Sequence, residues 1–181
     1  MSKTILVVDD SATLRMSVEL TLSQAGYEVV HARDGKEGLD RLREMEHSQA
    51  APAMIISDIN MPVMDGIQFI IEVKKTPFRY LPILVLTMHE EEQYVVRSIS
   101  SGARGYMTKR SAPEQLVKAI QQVHAGGRYL SAEAAELLAL RVARGERGQS
   151  PLDSLSNREV QVLRALALGQ TNREIAENYH I

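Results

Sequence analysis

The sequence predicts a doubly wound α/β fold, an open parallel sheet with helices on both faces. Two observations carry this reading. Short, wholly apolar runs such as Ile5-Leu6-Val7-Val8, Ala53-Met54-Ile55-Ile56 and Ile83-Leu84-Val85-Leu86 suit strands buried on both sides. Between them, apolar residues recur at helical spacing, so strand and helix alternate five times in about 125 residues.

In chain order, residues 5–8 form the first strand. Leu14, Val18 and Leu22 then repeat at four-residue steps, and Ala25-Gly26 ends that helix. Residues 27–31 read as the second strand and 35–45 as a helix with Leu39 and Leu42 inward. Residues 53–56 form the third strand. After Asp65-Gly66 the helical pattern continues through Ile67, Ile70, Ile71 and Lys74. Residues 83–86 form the fourth strand, followed by a helix over 91–101 that Gly102 stops. Residues 104–108 read as the fifth strand. A fifth helix spans 113–124, with Pro113 in its first turn, and Ala125-Gly126-Gly127 punctuates its end. A further helix is expected over 131–144, then a small, charged, turn-rich linker over 145–151.

Beyond the linker, Ser156-Asn157-Arg158-Glu159 and Thr171-Asn172-Arg173-Glu174 both match the reciprocal hydroxyl–glutamate box that starts helices. Val160, Leu163 and Ala167 are expected to line the first of these helices, and Ile175 and Ala176 the second. Gly169-Gln170 breaks the chain between them, the pattern of a helix-turn-helix.

Composition narrows the function. The chain has 181 residues, 44% hydrophobic and 24% charged, and no cysteine, which excludes disulfides, thiolate metal sites and cysteine nucleophiles. No apolar run approaches the roughly 18 residues of a membrane helix, and the N-terminal apolar run is too short for a signal peptide, so a cytoplasmic location without membrane contact is expected. Residues 1–127 carry 14 basic and 16 acidic side chains, and 128–181 carry seven of each. Neither part has the basic excess of a complete nucleic-acid-binding domain. The histidines at 31, 47, 89, 124 and 180 lack metal-ligand spacing, and neither a glycine-rich nucleotide loop nor a Gly-x-Ser-x-Gly elbow occurs.

Five residues fall at or just after the C-terminal ends of predicted strands: Asp9, Asp10, Asp58, Thr87 and Lys109. In an open α/β sheet those ends converge on one crevice. Clustered carboxylates repel, and their hard oxygens favour Mg²⁺. An aspartate can attack a phosphoryl group, and the transferred group needs positioning and neutralisation. Asp9 and Asp10 are therefore expected to hold Mg²⁺, with Asp58 as both ligand and nucleophile and the Asn60 backbone carbonyl completing the set. Lys109 would pair with one phosphoryl oxygen and Thr87 donate to another. Singly each has a plainer reading, Asp10 as a helix cap for example.

Residues 3–125 resemble the receiver domain of two-component response regulators through Val7-Val8-Asp9-Asp10-Ser11 and the run Asp58-Ile59-Asn60-Met61-Pro62-Val63-Met64-Asp65-Gly66. Thr87, 29 residues past Asp58, and Lys109, another 22 on, match the family spacing, and Tyr106 matches its switch aromatic. Residues 152–181 resemble the opening of a LuxR-type helix-turn-helix through Leu155-Ser156-Asn157-Arg158-Glu159-Val160 and Asn172-Arg173-Glu174-Ile175-Ala176. The whole resembles the NarL/FixJ class.

That resemblance implies a five-stranded, flavodoxin-like receiver over 1–127, a linker with a helix over 128–151, and part of an all-α DNA-binding domain over 152–181. It also implies a sensor histidine kinase as partner and phosphorylation of Asp58 with Mg²⁺. Homodimer formation on phosphorylation and transcription control follow, without enzymatic turnover. Thr87, Lys109 and Tyr106 would bind the phosphoryl group and carry the switch. The sequence departs from the family in having Arg110 where proline is widespread, as many NarL-type receivers do. It also has Met88 where a small residue is common, so Met88 is expected to slow self-dephosphorylation, with Asn60 and His89 as further tuning positions. The reader helix is expected just after Ile181, so specific DNA binding is expected of the intact protein and not of residues 1–181. The competing readings are a receiver acting through protein contacts alone and a metal-dependent phosphatase. Asn60, standing where a second general acid would be, speaks against the phosphatase.

Overall fold

Strands that present apolar side chains to both faces need helices on both sides, and the chain supplies them in alternation. The computed structural model describes residues 4–46, 51–111, 113–144, 157–167 and 170–179. In order come β1 (Thr4–Val8), α1 (Ala12–Gln24), β2 (Glu28–Ala32), α2 (Gly35–Met45), β3 (Met54–Ser57) and α3 (Gly66–Val73). Then follow β4 (Ile83–Thr87), α4 (Glu92–Ser100), β5 (Gly105–Thr108), α5 (Pro113–His124), β6 (Tyr129–Leu130) and α6 (Ala132–Ala143). The sheet order is β2-β1-β3-β4-β5-β6, parallel throughout.

The sheet has six strands where the sequence reading expects five. Two residues are too short to show any periodicity. Tyr129 and Leu130 become a strand because the amides of Tyr129 and Ser131 donate to the carbonyls of Arg104 and Tyr106, at 3.1 and 3.0 Å.

Side-chain alternation along the strands splits the core into two layers. Leu6, Val8, Ile55 and Val85 face α2, α3, α4 and α6, meeting Leu42, Phe69, Ile70, Val95 and Ala134. Ile5, Val7, Ile56 and Leu84 face α1 and α5, meeting Leu22, Ala119, Ile120 and Val123. The inward stripe of α3 runs through Ile67, Phe69, Ile70 and Val73, not through Ile71 and Lys74. Ile71 is on the open side, and Lys74 is the cap that ends the helix.

Helix starts follow local chemistry. Ser11, Asp34 and Asp65 cap α1, α2 and α3, their side-chain oxygens accepting the amides of Leu14, Glu37 and Gln68 at 3.4, 2.9 and 2.9 Å. Asp10 is thus not the cap of α1.

The chain divides into two compact units, Met1–Ala143 and Arg144–Ile181. In the second, α7 (Asn157–Ala167) and α8 (Asn172–Tyr179) pack on each other, burying Ala165 and Ile175. Leu163 and Ala167, expected inward, are exposed; the side of α7 that is buried carries Ala165. The capping box at α8 forms as the sequence implies, with the Thr171 amide donating to Glu174 Oε2 at 2.7 Å and the Glu174 amide to Thr171 Oγ1 at 3.3 Å. The Thr171 amide and hydroxyl, both donating to Glu174 Oε2, hold that carboxyl below its ordinary value. The expected linker at 145–151, Ser156 of the other box, Gly169, His47, His180 and Ile181 lie outside the described residues.

Candidate functional site

The strand ladder positions the acids. The Asp9 amide donates to Ala32 O at 3.0 Å and the Asp58 amide to Val8 O at 2.9 Å, so the chain remains in register past the ends of β1 and β3 and sets the two carboxylates side by side. This is where the strand order reverses, the usual ligand crevice of an open sheet. Asp9, Asp10 and Asp58 each offer an oxygen, all within 4.8 Å of one another, with Asp9 and Asp58 buried and Asp10 exposed. All the donors are hard oxygens, which fits Mg²⁺.

Lys109, just past β5, closes the site. Its Nζ lies 2.6 Å from Asp9 Oδ2 and 2.7 Å from Asp58 Oδ2, and its side chain is 4% exposed. The remaining oxygens accept amides, Asp9 Oδ1 from Ser11 at 2.9 Å and Asp58 Oδ1 from Ile59 at 2.6 Å. Burial raises the Asp9 carboxyl above its ordinary value, against the pull of Lys109 and with help from the repelling Asp58. Burial alone would lower Lys109; its two carboxylate partners outweigh that and hold it above the usual lysine value. Burial thus carries Asp9 upward and the two anions carry Lys109 upward, so Lys109 stays charged.

The β3–α3 loop is closed by Gly66, whose amide donates to Ile59 O at 2.8 Å. A Cβ on residue 66 would stand 1.9 Å from the Asp58 carbonyl oxygen, so glycine is required there. Val63 in the same loop has φ 65°, the left-handed region, and is 79% exposed.

Thr87 ends β4 fully buried, and its hydroxyl accepts the His89 amide at 3.4 Å while its carbonyl accepts the Lys109 amide at 2.8 Å. Met88 turns outward and is 52% exposed. His89 is a junction. Its Nε2 meets Asn60 Nδ2, its Nδ1 lies 3.1 Å from Glu91 Oε2, and its ring lies 4.5 Å from that of Tyr94. Tyr106 points inward, 1% exposed, and its hydroxyl donates to His89 O at 2.8 Å. Burial, with the carboxylates of Glu91 and Asp58, pushes the phenol far above its usual value, so it remains a donor.

The structure therefore brings Asp9, Asp10, Asp58 and Lys109 into one cluster and links Asn60, Thr87 and Tyr106 through His89, while Met88 turns outward. Sequence reasoning missed Arg15, whose Nη1 donates to Asp9 O. It also missed Glu91 and Tyr94 as partners of His89. Arg15 is legible only once α1 is known to start at Ala12, which swings a residue in its first turn back over the strand end.

Comparison with known proteins agrees with this geometry. Residues 5–121 match the response regulator receiver domain family, and residues 153–181 match the family of bacterial regulatory proteins of the luxR type. The response regulator GacA of Pseudomonas aeruginosa is 36% identical over 168 residues, 90% of this chain and 74% of that protein. The crystal structure of a LuxR-family two-component response regulator from Aurantimonas sp. superposes with a TM-score of 0.71 at 30% identity, covering 77% of this chain and 97% of the other. The chemotaxis response regulator CheY4 of Vibrio cholerae gives 0.61 at 38% identity, over 68% of this chain and 99% of the other.

Proposed function

Because this chain belongs to the response regulator receiver family, we propose that Asp58 is its phosphoacceptor and that Asp9, Asp10, Asp58 and the Asn60 carbonyl are its Mg²⁺ ligands. It is a phosphorylation-dependent transcriptional response regulator. The observation that carries the residue assignment is the buried Lys109 ammonium held between Asp9 and Asp58 with Asp10 alongside. A lysine fixed on the acceptor is placed to neutralise the charge that transfer brings.

Asp58 supplies the nucleophile. An oxygen of its carboxylate bonds to phosphorus while the bond from phosphorus to the donor's leaving group breaks, giving an acyl phosphate. Mg²⁺, when bound, supplies charge against the phosphoryl oxygens. Lys109 pairs with one of those oxygens, and Thr87 turns its hydroxyl to donate to another. Tyr106 answers that movement, since the loop that its hydroxyl holds begins at Thr87. Met88, Asn60 and His89 border the site and set how easily water reaches the phosphoryl group. The donor is a sensor histidine kinase. The output is DNA binding by the intact luxR-type domain to which 152–181 belong, following a receiver at 1–127 and a connecting stretch at 128–151, with homodimer formation on phosphorylation. The chain acts in the cytoplasm as a switch and not as a turnover enzyme. Among the described residues no helix is long and apolar enough to cross a membrane.

Incubation with Mg²⁺ and acetyl phosphate is expected to add the mass of one phosphoryl group, mapped to Asp58, and Asp58→Asn is expected to add none. Undiminished uptake by Asp58→Asn would overturn the assignment.

A further inference from the structure

We infer that helix α6 is a clasp on the receiver, docked over α4 when Asp58 is unmodified and loosened when Asp58 is phosphorylated. The inference rests on Asp58 as acceptor.

Helix α6 is part of the receiver's fold and not a free connector. Ala134 is 2% exposed and joins the same core cluster as Tyr94, Val95 and Tyr106, with Leu137 and Leu138 packed against it. An ion pair adds to this apolar seam: Arg141 Nη1 lies 3.5 Å from Glu92 Oε1, with side chains 18% and 21% exposed. Glu92 opens α4 and Arg141 closes α6, so one pair ties the two helices across the surface.

The clasp is wired to the acceptor through backbone and side chain alike. The Ser131 amide donates to Tyr106 O at 3.0 Å, and Ser131 Oγ accepts the Ala134 amide at 3.3 Å, so the first turn of α6 hangs from the residue whose hydroxyl holds His89 O. The His89 ring in turn contacts Asn60, two residues past Asp58, and Glu91, the neighbour of Glu92. Phosphorylation adds close to two negative charges and three acceptor oxygens beside Thr87, whose hydroxyl now accepts the His89 amide. Moving that hydroxyl shifts His89, and His89 carries Tyr106 on one side and the Glu91–Glu92 turn on the other. Both attachments of α6 are disturbed by one local event. The clasp combines a part-exposed ion pair with a short apolar seam, the kind of contact that can reopen.

This inference separates the present chain from a receiver that works by offering α4 to a partner. Here α4 is covered by the chain's own helix, and that surface becomes available when α6 leaves.

Hydrogen exchange of the full chain, read over residues 132–143, tests it. Glu92→Arg and Arg141→Glu are each expected to speed exchange there by roughly three- to fivefold, the scale of one modest ion pair, and the double reversal to restore the wild-type rate. Mg²⁺ with beryllium fluoride is expected to speed the same amides in the wild type and not in Asp58→Asn, while peptides spanning 58–66 slow. Single reversals without effect, or failure of the double reversal to restore, would overturn the clasp. Slowed 58–66 peptides with an unchanged α6 would overturn its coupling to the acceptor. Peptides at 58–66 that ignore beryllium fluoride would remove the acceptor assignment, and the inference with it.

Discussion

Gly66 and Met88 are positions expected to shape the proposed acceptor without taking part in its chemistry. At Gly66 the obstacle to any larger residue is backbone, the carbonyl of Asp58 itself, which cannot rotate away like a side chain. Gly66→Ala is expected to cost about 3 kcal/mol, at the upper end for overpacking, measured by urea denaturation, and to slow phosphoryl uptake because Asp58 must shift. Met88 follows Thr87 in the chain and is half-exposed; the proposed shielding role predicts that Met88→Ala shortens the lifetime of phospho-Asp58, and an equal lifetime would overturn that role. At this scale the sequence is highly legible. Asp9, Asp10, Asp58 and Lys109 announce themselves because strand ends in a parallel sheet are local features, and acids placed there have few structural uses. His89 is less legible, since its partners Asn60 and Tyr106 are 29 and 17 residues away.

Helices and strands with their own start and stop chemistry are readable from sequence. The bounds of α2 and α5 match the periodicity, and Asp34 and Asp65 cap as aspartates before a helix do. What the sequence hides is anything defined by a distant partner. β6 exists through the backbone of β5, and the ion pair between α4 and α6 joins Glu92 and Arg141, 49 positions apart. Periodicity does not separate Ile71 from the equally apolar Ile70; in the fold Ile70 is buried and Ile71 lies on the open side of α3. The β3–α3 loop carries a local cost of its own. Val63, β-branched and exposed, sits in the left-handed region that costs an L-residue roughly 1–2 kcal/mol. Val63→Gly is expected to stabilise the fold by about 1 kcal/mol, seen as a higher urea midpoint at unchanged slope.

For the molecule as a whole, the site couples stability to ions. Anything bound to the folded state alone stabilises it by mass action. Mg²⁺ at a hundred times its dissociation constant is expected to add about 2.7 kcal/mol, read as a shift in thermal midpoint that a chelator reverses. Asp10→Asn is expected to lose most of that gain while keeping the buried Asp9–Lys109–Asp58 bridge. The bridge would also bear on the valence that the proposed Mg²⁺ site takes, counting the side chains of Asp9, Asp10, Asp58 and Lys109 alone. Three carboxylates against one ammonium leave two formal negative charges. A monovalent ion leaves one of them uncompensated, a trivalent ion overshoots by one, and a divalent ion closes the count. In the proposed site Lys109 would therefore act as a counterweight, sorting ions by charge before the spacing of the oxygens sorts them by size.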